Sequence, residues 1–240
     1  LWHDITGGKL HITGGAGARY EGESFGDPYE LPNDQCYCET CAAIAGIMWN
    51  WRLLLATGEA RFTDLMEQTL YNGFLSGPAL DGTHFFYINP LLSRGSYARA
   101  EWYSVACCPP NIARLISSLG GYIYSTAPDG LFIHLYVGGS VTCQIGDTAV
   151  KFTQRTDYPW DEKVEITVEP ERACEFTLGL RIPGWCRGAR LRVNGKAVSL
   201  NEFSDRGYIC IIREWVAGDK VKLILPMPVE RIEANPRVRM

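Results

Sequence analysis

The pattern of apolar and polar positions divides the chain into two stretches of different character. In the first, apolar residues recur at helical spacing. The segment "ETCAAIAGIMWNWRLLLATG" is apolar on nearly every face and ends at Gly58, a residue suited to stop a helix. Such a helix is expected to be buried on most sides. A second helix is predicted in "EARFTDLMEQTLYNGFLSG", where Phe62, Leu65, Met66, Thr69 and Leu70 fall near helical spacing. A third is predicted in "PPNIARLISSLGGYIYS". Its Pro109 and Pro110 suit a first helical turn, where missing N–H groups cost little. The stretch from about 76 to 106 is too long for a bare connector and is expected to carry function. Long helices joined by long loops bearing Gly, Asp and Asn suggest a helical barrel or toroid.

Near residue 128 the pattern changes to short strand-like runs: "APDGLFIHLYVGGSVTCQI", "DEKVEITVEP", "CEFTLGLRIPGW", "ARLRVNGKAVSL", "GYICIIREW" and "DKVKLILPMPVERI". Turn signals separate them. In "VNGKAV", Asn194-Gly195 predicts a hairpin with a type I′ turn. Regular short strands with turn punctuation predict an antiparallel β-sandwich. The expected division is residues 1–127 helical and residues 128–240 β-sandwich. The expected fold is thus multidomain, α then β.

Composition narrows this only slightly. The chain has 240 residues, 46% hydrophobic and 21% charged, an ordinary globular balance. That length fits one large domain or two smaller ones. A formal net charge of −4 leaves no electrostatic footprint for nucleic acid or an anionic membrane. No apolar run is long enough to cross a bilayer. The opening "LWHDITGGKL" and closing "ANPRVRM" read as cuts through a longer protein.

Cysteine usage changes the picture more. Nine cysteines stand at 36, 38, 41, 107, 108, 143, 174, 186 and 210. An odd count in a chain this size predicts free thiols in a reducing compartment, hence a cytoplasmic location. Cys174 and Cys210 lie in apolar strand-like runs and read as small core residues. The five in the first half are clustered, and that needs a separate reason.

The segment "GESFGDPYELPNDQCYCETCAAI" holds Glu23, Asp27, Glu30, Asp34 and Glu39 with Cys36, Cys38 and Cys41. Cys107 and Cys108 in "ACCPPN" form a second soft cluster. Thiolates with one carboxylate suit Zn2+ in tetrahedral geometry. Cys38 and Cys41 form a C-x-x-C pair, and Glu39 with Cys41 is the other choice. On a regular helix Glu39 and Cys41 point roughly 200° apart, so they share an ion only at an irregular helix start. The residues alone leave three readings open: a structural metal, free core thiols, or a catalytic site. A helix N-terminus favours the thiolate of a cysteine just ahead of "PPNIARL". Cys107 or Cys108 is therefore a candidate nucleophile. Glu23, flanked by glycines in "YEGESFG", is a candidate proton carrier or a solvated loop carboxylate.

The pieces "GESF", "LPND", "ETCA", "FFYINPL" and "CCPPNIARL", in that order, resemble the glycoside hydrolase family 127 β-L-arabinofuranosidases. The later phrases "IHLYVG", "YPWDEKVEITV" and "RIPGW" are also similar to that family. The resemblance covers essentially the whole chain. It implies the C-terminal half of an (α/α)6 helical barrel followed by much of a β-sandwich. It implies Glu23 as general acid/base and Tyr87 as a substrate-binding tyrosine. It implies Zn2+ held by Glu39, Cys41, Cys107 and Cys108, with Cys107 also the nucleophile. The implied reaction is retaining hydrolysis releasing L-arabinofuranose from β-L-arabinofuranosides. The implied partner is an arabinofuranoside-containing oligosaccharide or glycoconjugate, and a homodimer is compatible with this reading. Cys36 and Cys38 match no role in the family. His11 and His84 are candidate site-side residues, while His134 lies in a strand pattern and is expected to pack at a domain face. A second reading is a zinc-stabilised, non-catalytic carbohydrate-binding or scaffold protein. A redox role for Cys38 and Cys41 lacks the strand-then-helix context it would need.

Overall fold

The computed structural model describes residues 1–200 and 204–239. The chain forms two compact units. One comprises Leu1–Ala56, Asp64–Ser118 and Arg231–Met240; the other comprises Thr57–Thr63 and Leu119–Glu230.

The first unit is built on helices α1 (Trp2–Thr6), α2 (Thr40–Thr57) and α4 (Cys108–Ser118), with most of α3 (Ala60–Thr69). Gly58, at φ +71°, ends α2 as its sequence predicts. The burial of α2 differs from expectation. Thr40, Ala43, Ile44, Ile47, Asn50 and Leu54 are buried, a single stripe at spacings of three and four. Other apolar positions, Ala42, Ala45 and Trp49, line a cavity of about 350 Å³ with Ile5 and Leu10. The helix is therefore apolar on more faces than this unit covers. α3 runs on into a π-helical turn over Leu70–Phe74. α4 starts one residue earlier than predicted, so its two prolines occupy positions whose N–H groups have no intrahelical partner.

No helix or strand forms between residues 78 and 106. Isolated bridges hold this segment instead: Pro78 with Phe85, Phe85 with Ala100, and Ile88 with Glu39.

The second unit contains strands β1 (Tyr124–Ala127), β2 (Gly130–Ile133), β3 (Gly139–Ile145), β4 (Thr148–Thr156), β5 (Lys163–Pro170) and β6 (Cys174–Arg181). It continues with β7 (Arg190–Val193), β8 (Lys196–Val198), β9 (Ser204–Asp205), β10 (Tyr208–Trp215) and β11 (Asp219–Ile224). One sheet has the order β1-β2-β6-β10-β9, the other β3-β4-β5-β11-β7-β8. Pairing is antiparallel throughout except between β2 and β6, which run parallel. The chain leaves β2, builds three strands of the other sheet and returns as β6. Parallel neighbours need such a crossover, and short turn signals do not announce it.

Burial alternates along β4 and β5, as strands with one covered face require. Phe152 of β4 meets Phe176 of β6 edge-on at 5.8 Å, joining the two sheets, and Trp215 stacks on Phe176 at 5.7 Å. The predicted hairpin forms: Val193 pairs with Lys196, and Asn194 and Gly195 take φ +49° and +79°. Cys174 and Cys210 are half-buried rather than core residues, and all nine cysteines are free thiols. His134 follows β2 and is buried, its ring between Tyr208 Oη at 2.6 Å and Ser125 Oγ at 2.8 Å. Burial, with the Arg181 charge, presses its pKa down to about 3. Among the described residues, no helix is long and apolar enough to cross a membrane.

Candidate active site

Residues 38–40 are bound to residues 86–89 just ahead of α2. The Thr40 N–H donates to the Tyr87 carbonyl at 2.9 Å, and Thr40 Oγ1 to the Phe86 carbonyl at 2.9 Å. The Asn89 amide donates to the Cys38 carbonyl and to Thr40 Oγ1, each at 3.0 Å. These bonds bring Tyr87 to Glu39. They also make the irregular helix start that Glu39 and Cys41 require. Glu39 is bridged to Ile88, while its carbonyl accepts the Ala43 N–H at 3.1 Å, opening the helix. Cys41 sits one residue inside α2.

α4 begins at the same place. Cys107 stands just ahead of it, with its carbonyl accepting the Asn111 N–H at 3.4 Å, and Cys108 is its first residue. Two helix N-termini therefore face one cluster, and their partial positive charges favour anionic groups there.

The ligand atoms of Glu39, Cys41, Cys107 and Cys108 all lie within 4.8 Å of one another. Glu39 Oε1 is 3.1 Å from Cys107 Sγ and 3.5 Å from Cys108 Sγ. Cys108 Sγ is 3.5 Å from Cys41 Sγ and 3.7 Å from Cys107 Sγ. Zinc–sulfur bonds of about 2.3 Å imply tetrahedral S···S edges of about 3.8 Å and S···O edges of about 3.5 Å. The cluster is within a few tenths of an ångström of both along these edges, so its residues fit a zinc ion. The Asn111 amide donates to Cys41 Sγ at 3.0 Å, and Cys107 Sγ lies 3.0 Å from Tyr87 Oη.

Burial pushes the Cys41 thiol up to about 11. Burial, followed by Cys41, also pushes the Cys108 thiol up. That direction is opposite to the one expected of a cysteine at a helix start: desolvation of the bare thiol outweighs the helix end. Cys107 holds the Tyr87 hydroxyl above its ordinary range, with burial second.

Glu23 ends a 3-10 turn, Glu21–Glu23, at φ +50°. Its Oε1 accepts a hydrogen bond from Tyr37 Oη at 2.8 Å. The Tyr37 ring lies 6.1 Å from that of Tyr87, which in turn meets Tyr103 at 5.3 Å. Glu23 is thus linked to Cys107 through two tyrosines. Burial, then Glu23, raises the Tyr37 hydroxyl.

Six residues singled out from the sequence, Glu23, Glu39, Cys41, Tyr87, Cys107 and Cys108, belong to this assembly. Cys38 does not: its sulfur lies 3.2 Å from His11 Nδ1, which removes the C-x-x-C alternative. His84 is elsewhere, 3.7 Å from Glu101 and bonded to Thr83 Oγ1 at 2.7 Å. Sequence reasoning missed Tyr37, Asn89, Tyr103 and Asn111. For Tyr37 a signal existed, since its place between two cysteines in "CYC" sends it to the opposite side from them.

The chain resembles known proteins along nearly its whole length. Residues 1–121 match the family described as "Beta-L-arabinofuranosidase, GH127 catalytic domain", and residues 130–227 match its "GH127 middle domain". The whole chain is 36% identical to a non-reducing end β-L-arabinofuranosidase of Bifidobacterium longum subsp. longum, of which it covers 38%. The solved GH127 β-L-arabinofuranosidase Ara127N-Se of Geobacillus stearothermophilus T6 superposes at a TM-score of 0.95 with 49% identity, over 99% of this chain and 39% of that one. The GH127 β-arabinofuranosidase BT3674 superposes at 0.95 with 40% identity, over 99% of this chain and 40% of that one. The chain thus spans about two fifths of the length of these relatives. On residue identity, fold and coverage together, the chain belongs to glycoside hydrolase family 127, the β-L-arabinofuranosidase family.

Proposed function

We propose that the protein carrying this chain is a retaining β-L-arabinofuranosidase, with Cys107 as nucleophile and Glu23 as general acid/base. The observation that carries this reading is the meeting of Cys107 with Glu39, Cys41, Cys108 and Tyr87 at two helix starts. In the first step the Cys107 sulfur attacks the anomeric carbon of an arabinofuranoside. The carbon–sulfur bond forms as the carbon–oxygen bond breaks, and Glu23 gives its proton to the departing oxygen. In the second step Glu23 takes a proton from water, whose oxygen displaces the Cys107 sulfur. Two inversions give net retention. Tyr37 holds Glu23 by its hydroxyl, and Tyr87 orients the Cys107 sulfur by contact.

Zn2+ held by Glu39, Cys41, Cys107 and Cys108 would keep the thiols deprotonated and moderate the charge on sulfur. In this reading helices α1 to α4 are part of an (α/α)6 barrel. Its remaining helices would cover the apolar cavity beside Trp49. Strands β1 to β11 form the following β-domain.

A zinc-stabilised scaffold or carbohydrate-binding protein would keep the same cluster without turnover. The full-length protein assayed on a panel of aryl furanosides and pyranosides, with zinc measured on the same sample, separates the two. Glu23→Gln should abolish hydrolysis of the arabinofuranoside with zinc content intact. No hydrolysis by the wild type would leave the scaffold reading.

A further inference from the structure

Cys36, Cys38 and His11 take no part in the proposed reaction, yet they form a cluster of their own. Their donor atoms all lie within 4.8 Å of one another. Their exposures are 0%, 2% and 4%. Cys38 Sγ stands 3.2 Å from His11 Nδ1, close to the edge of about 3.5 Å expected between nitrogen and sulfur on tetrahedral zinc. The other ring nitrogen, Nε2, lies 3.2 Å from the Pro32 carbonyl oxygen. A carbonyl only accepts, so Nε2 carries a proton, and in the neutral ring Nδ1 turns its lone pair toward the sulfurs. A ring N–H fixed on a backbone carbonyl is the arrangement that metal-bound histidines adopt. The carbonyl oxygens of Asn33 and Asn89, 3.7 and 3.9 Å from Cys36 Sγ, are further oxygen donors at hand.

The loop before α2 serves both clusters by alternation. Tyr37 faces the first cluster's neighbour Tyr87 and bonds Glu23, and Glu39 meets Cys107. Cys36 and Cys38, the alternate residues, reach the second. The Cys38 N–H also donates to the Gly17 carbonyl at 2.9 Å, while the His11 N–H donates to that of Gly15 at 3.0 Å. A link from His11 to the two sulfurs would clamp the 10–17 turn to the back of the loop.

We propose that His11, Cys36 and Cys38 form a second, structural Zn2+ site behind the loop that presents Tyr37 and Glu39. Two thiolates and a neutral imidazole balance a divalent ion to zero net charge, which suits so buried a place. Binding releases two thiol protons to solvent and involves no change of oxidation state. The site stands on its own residues and does not depend on the hydrolytic reading.

The test is zinc content of the full-length protein, produced in zinc-supplemented medium, with correct folding checked by near-ultraviolet circular dichroism. His11→Ala and Cys36→Ala should each lower zinc by one equivalent. Cys41→Ser should remove the other equivalent, so failure at one cluster is distinguishable from failure at the other. X-ray absorption at the zinc edge needs no variant to fold. The first cluster holds no histidine, so imidazole scattering in the wild-type protein marks the second site, and its loss in His11→Ala assigns it to His11. Unchanged zinc in both His11→Ala and Cys36→Ala, with unchanged scattering, would overturn the proposal. So would a wild-type chain lighter by two hydrogens that lacks the second zinc, because Cys36 and Cys38 would then be a disulfide.

Discussion

Glu39 Oε1 stands 3.1 Å from Cys107 Sγ across 68 residues of sequence. The carboxylate is almost fully buried, and two thiols share its oxygen. A buried carboxylate against sulfur is stabilising only if something positive joins them, and two helix starts supply part of that charge. A zinc ion would supply the rest.

Glu39→Gln keeps the shape of the side chain and removes its charge. We expect one equivalent of zinc to be lost and kcat to fall by about 100-fold or more, since even an outer partner of a metal ligand is worth about 10- to 100-fold. Metal analysis and turnover on the same preparation check both. Full zinc with full turnover would remove Glu39 from the site.

Tyr37→Phe deletes the hydrogen bond at 2.8 Å to Glu23 and leaves the ring in place. A hydrogen bond to a charged group contributes about 1.5–3 kcal/mol, which is about 10- to 100-fold in rate if the bond matters in the transition state. The loss should appear in kcat, with zinc content unchanged. A change in KM alone would mean that Tyr37 only binds.

The β-unit has its own pH signature. Burial presses His134 from 6.5 to about 3. Between those values the unfolded chain binds a proton that the folded chain refuses. This contribution is complete above the unfolded value and is lost as pH falls toward the folded one. Denaturant unfolding of this unit should show stability rising with pH across that window. His134→Gln should flatten the rise, and equal slopes in the two proteins would contradict the assignment.

Phe152 is fully buried where the two sheets meet, edge-on to Phe176. Phe152→Ala should cost about 3–5 kcal/mol through lost contact and a residual cavity. A lower urea midpoint with unchanged slope is the expected record.

Much of this was legible in the sequence, and the misses share a cause. Helix and strand positions follow from local period, so α2, α4 and the Asn194-Gly195 hairpin were readable. The parallel pairing of β2 with β6 was not, because a crossover through another sheet leaves no local mark. Glu39 could not be preferred over Cys38 from spacing. The choice depends on the pairing of Glu39 with Ile88, 49 residues away, which turns Glu39 out of the helix. The thiol of Cys108 moves opposite to the helix-end expectation because burial, a property of the tertiary fold, outweighs it.

The central claim is that Cys107 forms the bond to sugar. The most direct measurement is peptide mass spectrometry of the full-length protein after incubation with a mechanism-based arabinofuranosyl inhibitor. We predict one sugar-sized adduct, on the peptide carrying Cys107 and at that residue. An adduct on another side chain, or unchanged turnover in Cys107→Ser, would contradict it.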